Sequence, residues 1–152
     1  MKKTILFTCF SVLMLSTVFS QQLKITKYIE RTHISPKIGT AIGFVNQYGW
    51  EYGAFYQEAS ILESTMSEER RSQLPRFYER EFYGAYFSAP LLYSGNLKLK
   101  MNVRTGVSNG ENFVITPSLL SDYKVTRRIT IGAGVGSRAF RPTLQGSISV
   151  RL

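Results

Sequence analysis

The stretch "NLKLKMNVRTGV", Asn96 to Val107, alternates nearly without fault. Leu97, Leu99, Met101, Val103, Thr105 and Val107 fall on one parity, and Lys98, Lys100, Asn102, Arg104 and Gly106 on the other. A β-strand sends successive side chains to opposite faces, so this segment predicts a ribbon with one oily side and one cationic side. The fold follows from which of those sides meets a packed interior.

The same pattern recurs downstream. In "RRITIGAGVGSRAF" Ile129, Ile131, Ala133, Val135 and Ala139 share a face, opposite Thr130, Gly132, Gly134, Gly136 and Arg138. In "TLQGSISVRL" Leu144, Ile148, Val150 and Leu152 oppose Thr143, Gln145, Ser147, Ser149 and Arg151. In "NFVITPSLLSDYKV" Phe113, Ile115, Leu119 and Tyr123 oppose Thr116, Ser118, Asp122 and Lys124, with Pro117 calling for a bulge because proline cannot donate to a ladder. With turn chemistry between them, the predicted strands are Gln22–Thr32, Lys37–Asn46, Trp50–Glu58, Glu81–Ala89, Asn96–Val107, Asn112–Tyr123, Arg128–Ala139 and Pro142–Leu152. The first is irregular, since Lys27 interrupts the apolar parity of Leu23, Ile25 and Ile29. Most approach the ~9–11 residues that carry a tilted strand across a bilayer.

Two all-β architectures fit this alternation. A soluble, lipocalin-like barrel turns the oily face inward around an apolar ligand. A membrane barrel turns it toward lipid and fills its lumen with the polar face. Three signs favour an up-and-down antiparallel transmembrane β-barrel of eight strands. Tyr48, Trp50, Tyr93 and Tyr123 sit at alternate connections, which places them at one end as an interfacial aromatic girdle. Gly132, Gly134 and Gly136 form a row on the polar face, where they make room for long neighbours in a narrow lumen. Short turns lie at that aromatic end, and the one long, external loop, Ala59 to Arg80, lies opposite. The predicted lumen network is Glu51, Lys98, Lys100, Arg104, Asp122, Arg138 and Arg151. Charges without bulk water must pair, so the interior is expected to be plugged and not a pore.

The first twenty residues read as a secretory signal peptide, with Lys2 and Lys3 before the apolar run "TILFTCFSVLMLSTVF" and cleavage after Ser20. The barrel domain then runs from 21 to 152. The only cysteine, Cys9, lies in the leader, which leaves no disulfide framework, thiolate metal site or cysteine nucleophile. Without Lys2 and Lys3, 17 basic residues face 10 acidic ones. In an exported chain that excess suits anionic lipid or enclosed charge more than nucleic acid.

A leader ending in Ser and followed by Gln-Gln resembles those of exported Bacteroidota proteins. The mature pattern resembles a small eight-stranded bacterial outer-membrane β-barrel of the general kind of the OmpA barrel domain and OmpX. The closing "PTLQGSISVRL" resembles the strand by which such barrels are recognised for insertion, with Leu152 where an aromatic residue is usual. The resemblance implies residence in the outer membrane among phospholipid and lipopolysaccharide.

Little in the sequence points to catalysis. "GAGVG" lies within a strand and lacks the spacing of a nucleotide-binding loop. His33 is the sole histidine, with Ser35 two residues on. Lipid A-trimming barrel enzymes are similar in size, and one such family uses a His–Ser pair near the outer rim, but one histidine with a nearby serine is a weak signature and reads first as a solvated loop histidine. No ligand cluster indicates a metal, and no cofactor is expected. In the long loop, Ser60 and Glu63 have capping-box spacing and predict a short surface helix ending near Pro75. Glu68, Glu69, Arg70, Arg71, Arg76, Phe77 and Tyr78 form a loop surface suited to lipopolysaccharide phosphate or a protein partner. Arg80, Phe82 and Tyr83 continue it into an outer girdle. The expected role is non-enzymatic: a structural or accessory barrel packed beside a larger outer-membrane complex.

Overall fold

A computed structural model describes residues 21–32, 36–59, 80–138 and 140–152. The leader, His33, Ser35, Ala139 and the loop positions 60–79 lie outside the described residues, and with them the expected loop helix and the loop surface from Glu68 to Tyr78.

Eight antiparallel strands close on themselves in chain order: β1 (Gln22–Arg31), β2 (Pro36–Val45), β3 (Glu51–Ala59), β4 (Glu81–Ser94), β5 (Leu97–Ser108), β6 (Asn112–Lys124), β7 (Ile129–Arg138) and β8 (Arg141–Arg151). β1 pairs with β8, so the barrel has no free edge, and the start of β1 and the end of β8 share one rim, the terminal rim. That terminal rim also carries the turns after β2, β4 and β6. The register fixes the geometry. From Leu97 one steps through Tyr123, Ile131, Ile148, Lys27, Thr40, Tyr56 and Tyr83 and returns to β5 at Val107, ten residues further on. A shift of this size with eight strands gives strands tilted by about 40° and a lumen that side chains alone can fill.

Local chemistry sets the turns. Asn46 Oδ1 accepts hydrogen bonds from the amides of Tyr48 and Trp50, both at 3.0 Å, while Gly49 takes the positive φ (81°) that this loop needs. Between β4 and β5, Gly95 does the same (φ 57°) in a two-residue turn. At the opposite rim Asn109 Oδ1 accepts from Arg80 N at 2.7 Å and Glu81 N at 3.2 Å, tying the start of β4 to the β5–β6 turn.

Two expectations need correction. β6 runs through Pro117 without a bulge, because its ladder with β7 begins only at Ser118 and no β7 partner requires the missing N–H. The register shift falls instead between Pro90 and Leu92, which carries β4 on to Ser94, past the predicted end at Ala89.

Burial is inverted relative to a water-soluble protein. Among the described residues nineteen polar or charged side chains are buried against eight apolar ones, whereas Ile42, Leu97, Met101, Ile131, Val135, Leu144 and Ile148 stand exposed. The oily face of β5 points outward. Lys98, Lys100, Asn102 and Arg104 point into the lumen.

Candidate functional site

The lumen is filled by two charge clusters separated by a small cavity. Near the terminal rim Glu51, at the start of β3, receives three ammonium groups: Lys24 at 2.9 Å, Lys98 at 2.9 Å and Lys100 at 3.1 Å. Lys100 also meets Asp122 at 2.6 Å, and Lys24 reaches the same carboxylate at 3.7 Å. All five side chains are buried. Lys98 additionally donates to the Gly49 carbonyl at 2.8 Å, fastening the β2–β3 turn over this end. The backbone makes room for the cluster: a Cβ on Gly132 would fall against the Asp122 carboxylate and the Ser147 hydroxyl.

The second cluster lies toward the opposite rim. Glu30 on β1 accepts from Arg104 and, at 3.3 Å, from Arg138. Gln57 bridges them, accepting from Arg104 at 3.1 Å and Arg138 at 3.3 Å, and donating to Glu30 at 3.4 Å. Two guanidinium groups thus share one carboxylate. Aromatic faces take up part of the surplus charge. The Arg104 guanidinium lies 5.0 Å from the Tyr28 ring centre and 5.8 Å from that of Phe55, and that of Arg138 lies 4.2 Å from Phe82. Phe55 and Phe82 meet edge to face at 4.7 Å. Gly39 leaves the space that the Tyr28 ring fills.

Between the clusters is a cavity of about 40 Å³, lined by Thr26, Tyr86, Ser88, Asn102, Gln145 and Ser147 among others. Ser88 Oγ, Asn102 Oδ1 and Gln145 Nε2 find no protein partner, a setting that suits a few enclosed waters and leaves no room for an apolar ligand.

Six of the seven expected lumen residues thus occupy these clusters. Arg151 does not join them: it is half-buried at the terminal mouth and forms no ion pair among the described residues. Lys24, Glu30, Gln57 and Tyr28 were not anticipated. The signal for three of them was present, because the apolar parity of Leu23, Ile25 and Ile29 assigns Lys24, Tyr28 and Glu30 to the other face. Phe82, expected in an outer girdle, is fully buried in the lumen, while its neighbour Tyr83 faces outward.

Aromatic side chains ring the outer wall at two levels. Tyr48, Trp50, Tyr93 and Tyr123 are exposed near the terminal rim, joined by Phe44, Tyr52 and Phe87, with Trp50 and Phe87 5.2 Å apart. Tyr56, Tyr83, Phe113 and Phe140 are exposed toward the other rim. Among the described residues no group of three or more His, Cys, Asp or Glu side chains could hold a metal.

The fold is that of transmembrane β-barrels. The chain is similar to a barrel described as "De novo design of transmembrane beta-barrels", at TM-score 0.66 and 8% identity over 86% of this chain and 95% of the other. It is also similar to the solution structure of the designed barrel TMB2.3, at TM-score 0.62 and 10% identity over 86% and 94%. The crystal structure of Neisserial surface protein A aligns over 87% of this chain and 94% of its own, at TM-score 0.38 and 14% identity. No family model and no curated protein sequence matches the chain.

Proposed function

We propose that this chain is a non-enzymatic bacterial outer-membrane barrel with an associative role, packed beside a larger outer-membrane complex. The carrying observation is the inversion on β5, where Leu97 and Met101 are exposed while Lys98, Lys100 and Arg104 are buried in ion pairs. Such a wall is stable only where hydrocarbon meets its outer face, and two aromatic belts fit the two interfaces. The filled lumen argues against a channel and against a carrier of apolar ligands. What then remains for the protein to offer is its outer wall and the Glu63 to Arg80 part of its external loop, whose Arg70, Arg71 and Arg76 suit lipopolysaccharide phosphates or a protein partner.

Expression with the native leader, followed by membrane fractionation and mild-detergent extraction, tests this reading. The protein is expected in the outer-membrane fraction, processed near Ser20, together with a partner in fixed ratio. Recovery in the soluble fraction after membranes are pelleted would contradict it.

A further inference from the structure

Lys27 breaks the outer wall. It lies on β1 with its side chain exposed, between Ile25 and Ile29, opposite Thr40 on β2 and Ile148 on β8. Among the described residues it makes no hydrogen bond or ion pair.

The register gives its depth. In the outward circuit from Leu97 to Val107, Lys27 comes at the fourth of eight steps, with Tyr123 near one end and Tyr83 near the other. At normal strand spacing and tilt each step climbs about 3 Å, so Lys27 sits about 12 Å from either edge of a band ~25 Å tall. A lysine stem spans about half that distance, too little to bring the ammonium to the head groups. A cation held at this depth in hydrocarbon is costly unless something pairs with it.

Ile25, Ile29 and Ile148 flank Lys27 directly, and beside them the wall has a shallow patch of small residues. Gly146 on β8 faces outward beside Ile29, and a Cβ added there would meet nothing within 4 Å. Ala133 on β7 pairs with Gly146, and Thr40 flanks Lys27 on the other side. Small side chains around a polar group let two membrane-embedded backbones approach closely. The described residues of a second copy do not supply the complement. Its exposed carboxylates among the described residues, Glu58, Glu81 and Glu111, stand at the rim opposite the termini, far from the level of Lys27.

We infer that the wall formed by Lys27, Thr40, Ala133 and Gly146 is an intramembrane docking face for a different integral membrane protein, one that presents an aspartate or glutamate at mid-depth. This rests on the associative role proposed above and names the chemistry of the partner.

The test uses the full-length protein in its native membranes, treated with the membrane-permeant reagent dicyclohexylcarbodiimide. The reagent condenses an amine with a contacting carboxylate and takes up the water as its urea. Wild type is expected to give a cross-link to a second protein that peptide mass spectrometry maps to Lys27. K27R is expected to lose the cross-link yet retain the co-purifying partner. K27L is expected to recover at least tenfold less partner while keeping the heat-modifiable gel mobility of a closed barrel. If K27L does not fold, the Lys27 cross-link decides. Equal recovery of partner with K27L overturns the docking face and leaves the associative role standing. Absence of any partner from wild type overturns both. A cross-link between two copies of this chain overturns the assignment to a different protein.

Discussion

Lys24 and Glu51, 27 residues apart in sequence, meet at 2.9 Å inside the barrel, and among the described residues no other lumen carboxylate is shared by three ammonium groups. The pair joins β1, the first strand, to β3 across the lumen, in a space that the tilt of eight strands closes to water.

Glu51 therefore governs the stability of the terminal half. In Glu51→Gln the ammonium groups of Lys24 and Lys98 lose their principal partner, and Lys100 keeps only Asp122. Removing one member of a buried ion pair costs about 3–5 kcal/mol. Urea titration in lipid vesicles, followed by gel mobility, is expected to show a loss of that size. Wild-type stability would show that the lysines are hydrated instead.

Glu30 and Arg104 act as one unit in the other cluster. Glu30→Gln and Arg104→Met are each expected to destabilise the barrel, and the double variant to fall short of their sum. The coupling should lie in the range of about 0.5–3 kcal/mol found for contacting groups. A double-mutant cycle from the same titrations checks it, and strict additivity would refute the contact.

Two glycines should respond unequally to alanine. A Cβ on Gly39 would enter the Tyr28 ring, so Gly39→Ala is expected to cost about 1–3 kcal/mol by overpacking. Gly146 faces open space, so Gly146→Ala is expected to change the stability of the isolated barrel by less than about 0.5 kcal/mol. The contrast separates an inner wall from an outer one in a single experiment.

The plugged lumen predicts electrical silence. Purified protein in a planar bilayer is expected to give no stable conductance steps, because ion pairs and rings occupy the cross-section. Reproducible steps would require the Glu51 or Glu30 cluster to open.

The barrel was legible in the sequence because β5, β7 and β8 repeat a two-residue period with few lapses, and turn residues punctuate it at regular intervals. β1 was harder for a physical reason. Lys27 stands on the oily side, so periodicity registers it as a fault and distracts from Lys24 and Glu30 on the face that matters. β3 and β4 carry aromatic residues on both faces. Tyr52, Tyr56, Tyr83 and Phe87 point out while Phe55, Phe82 and Tyr86 point in, so hydrophobic alternation is silent there, and the expectation of Phe82 in an outer girdle fell on the wrong face. The inward cations on β5 were plain from parity, but their partners come from strands distant in sequence. Only the register of the closed sheet brings Glu30 to Arg104, 74 residues away.

The most direct measurement of which face meets lipid is depth-sensitive quenching. With Cys9 as the only cysteine, and that in the expected leader, single cysteines can be placed along β5 and labelled with bimane. In vesicles containing nitroxide-labelled phospholipid, the fluorophore at Leu99, Met101 and Val103 should be strongly quenched, while at Lys100 and Asn102 it should not. Quenching on the opposite parity, or a protein that never partitions into the vesicles, would contradict the account.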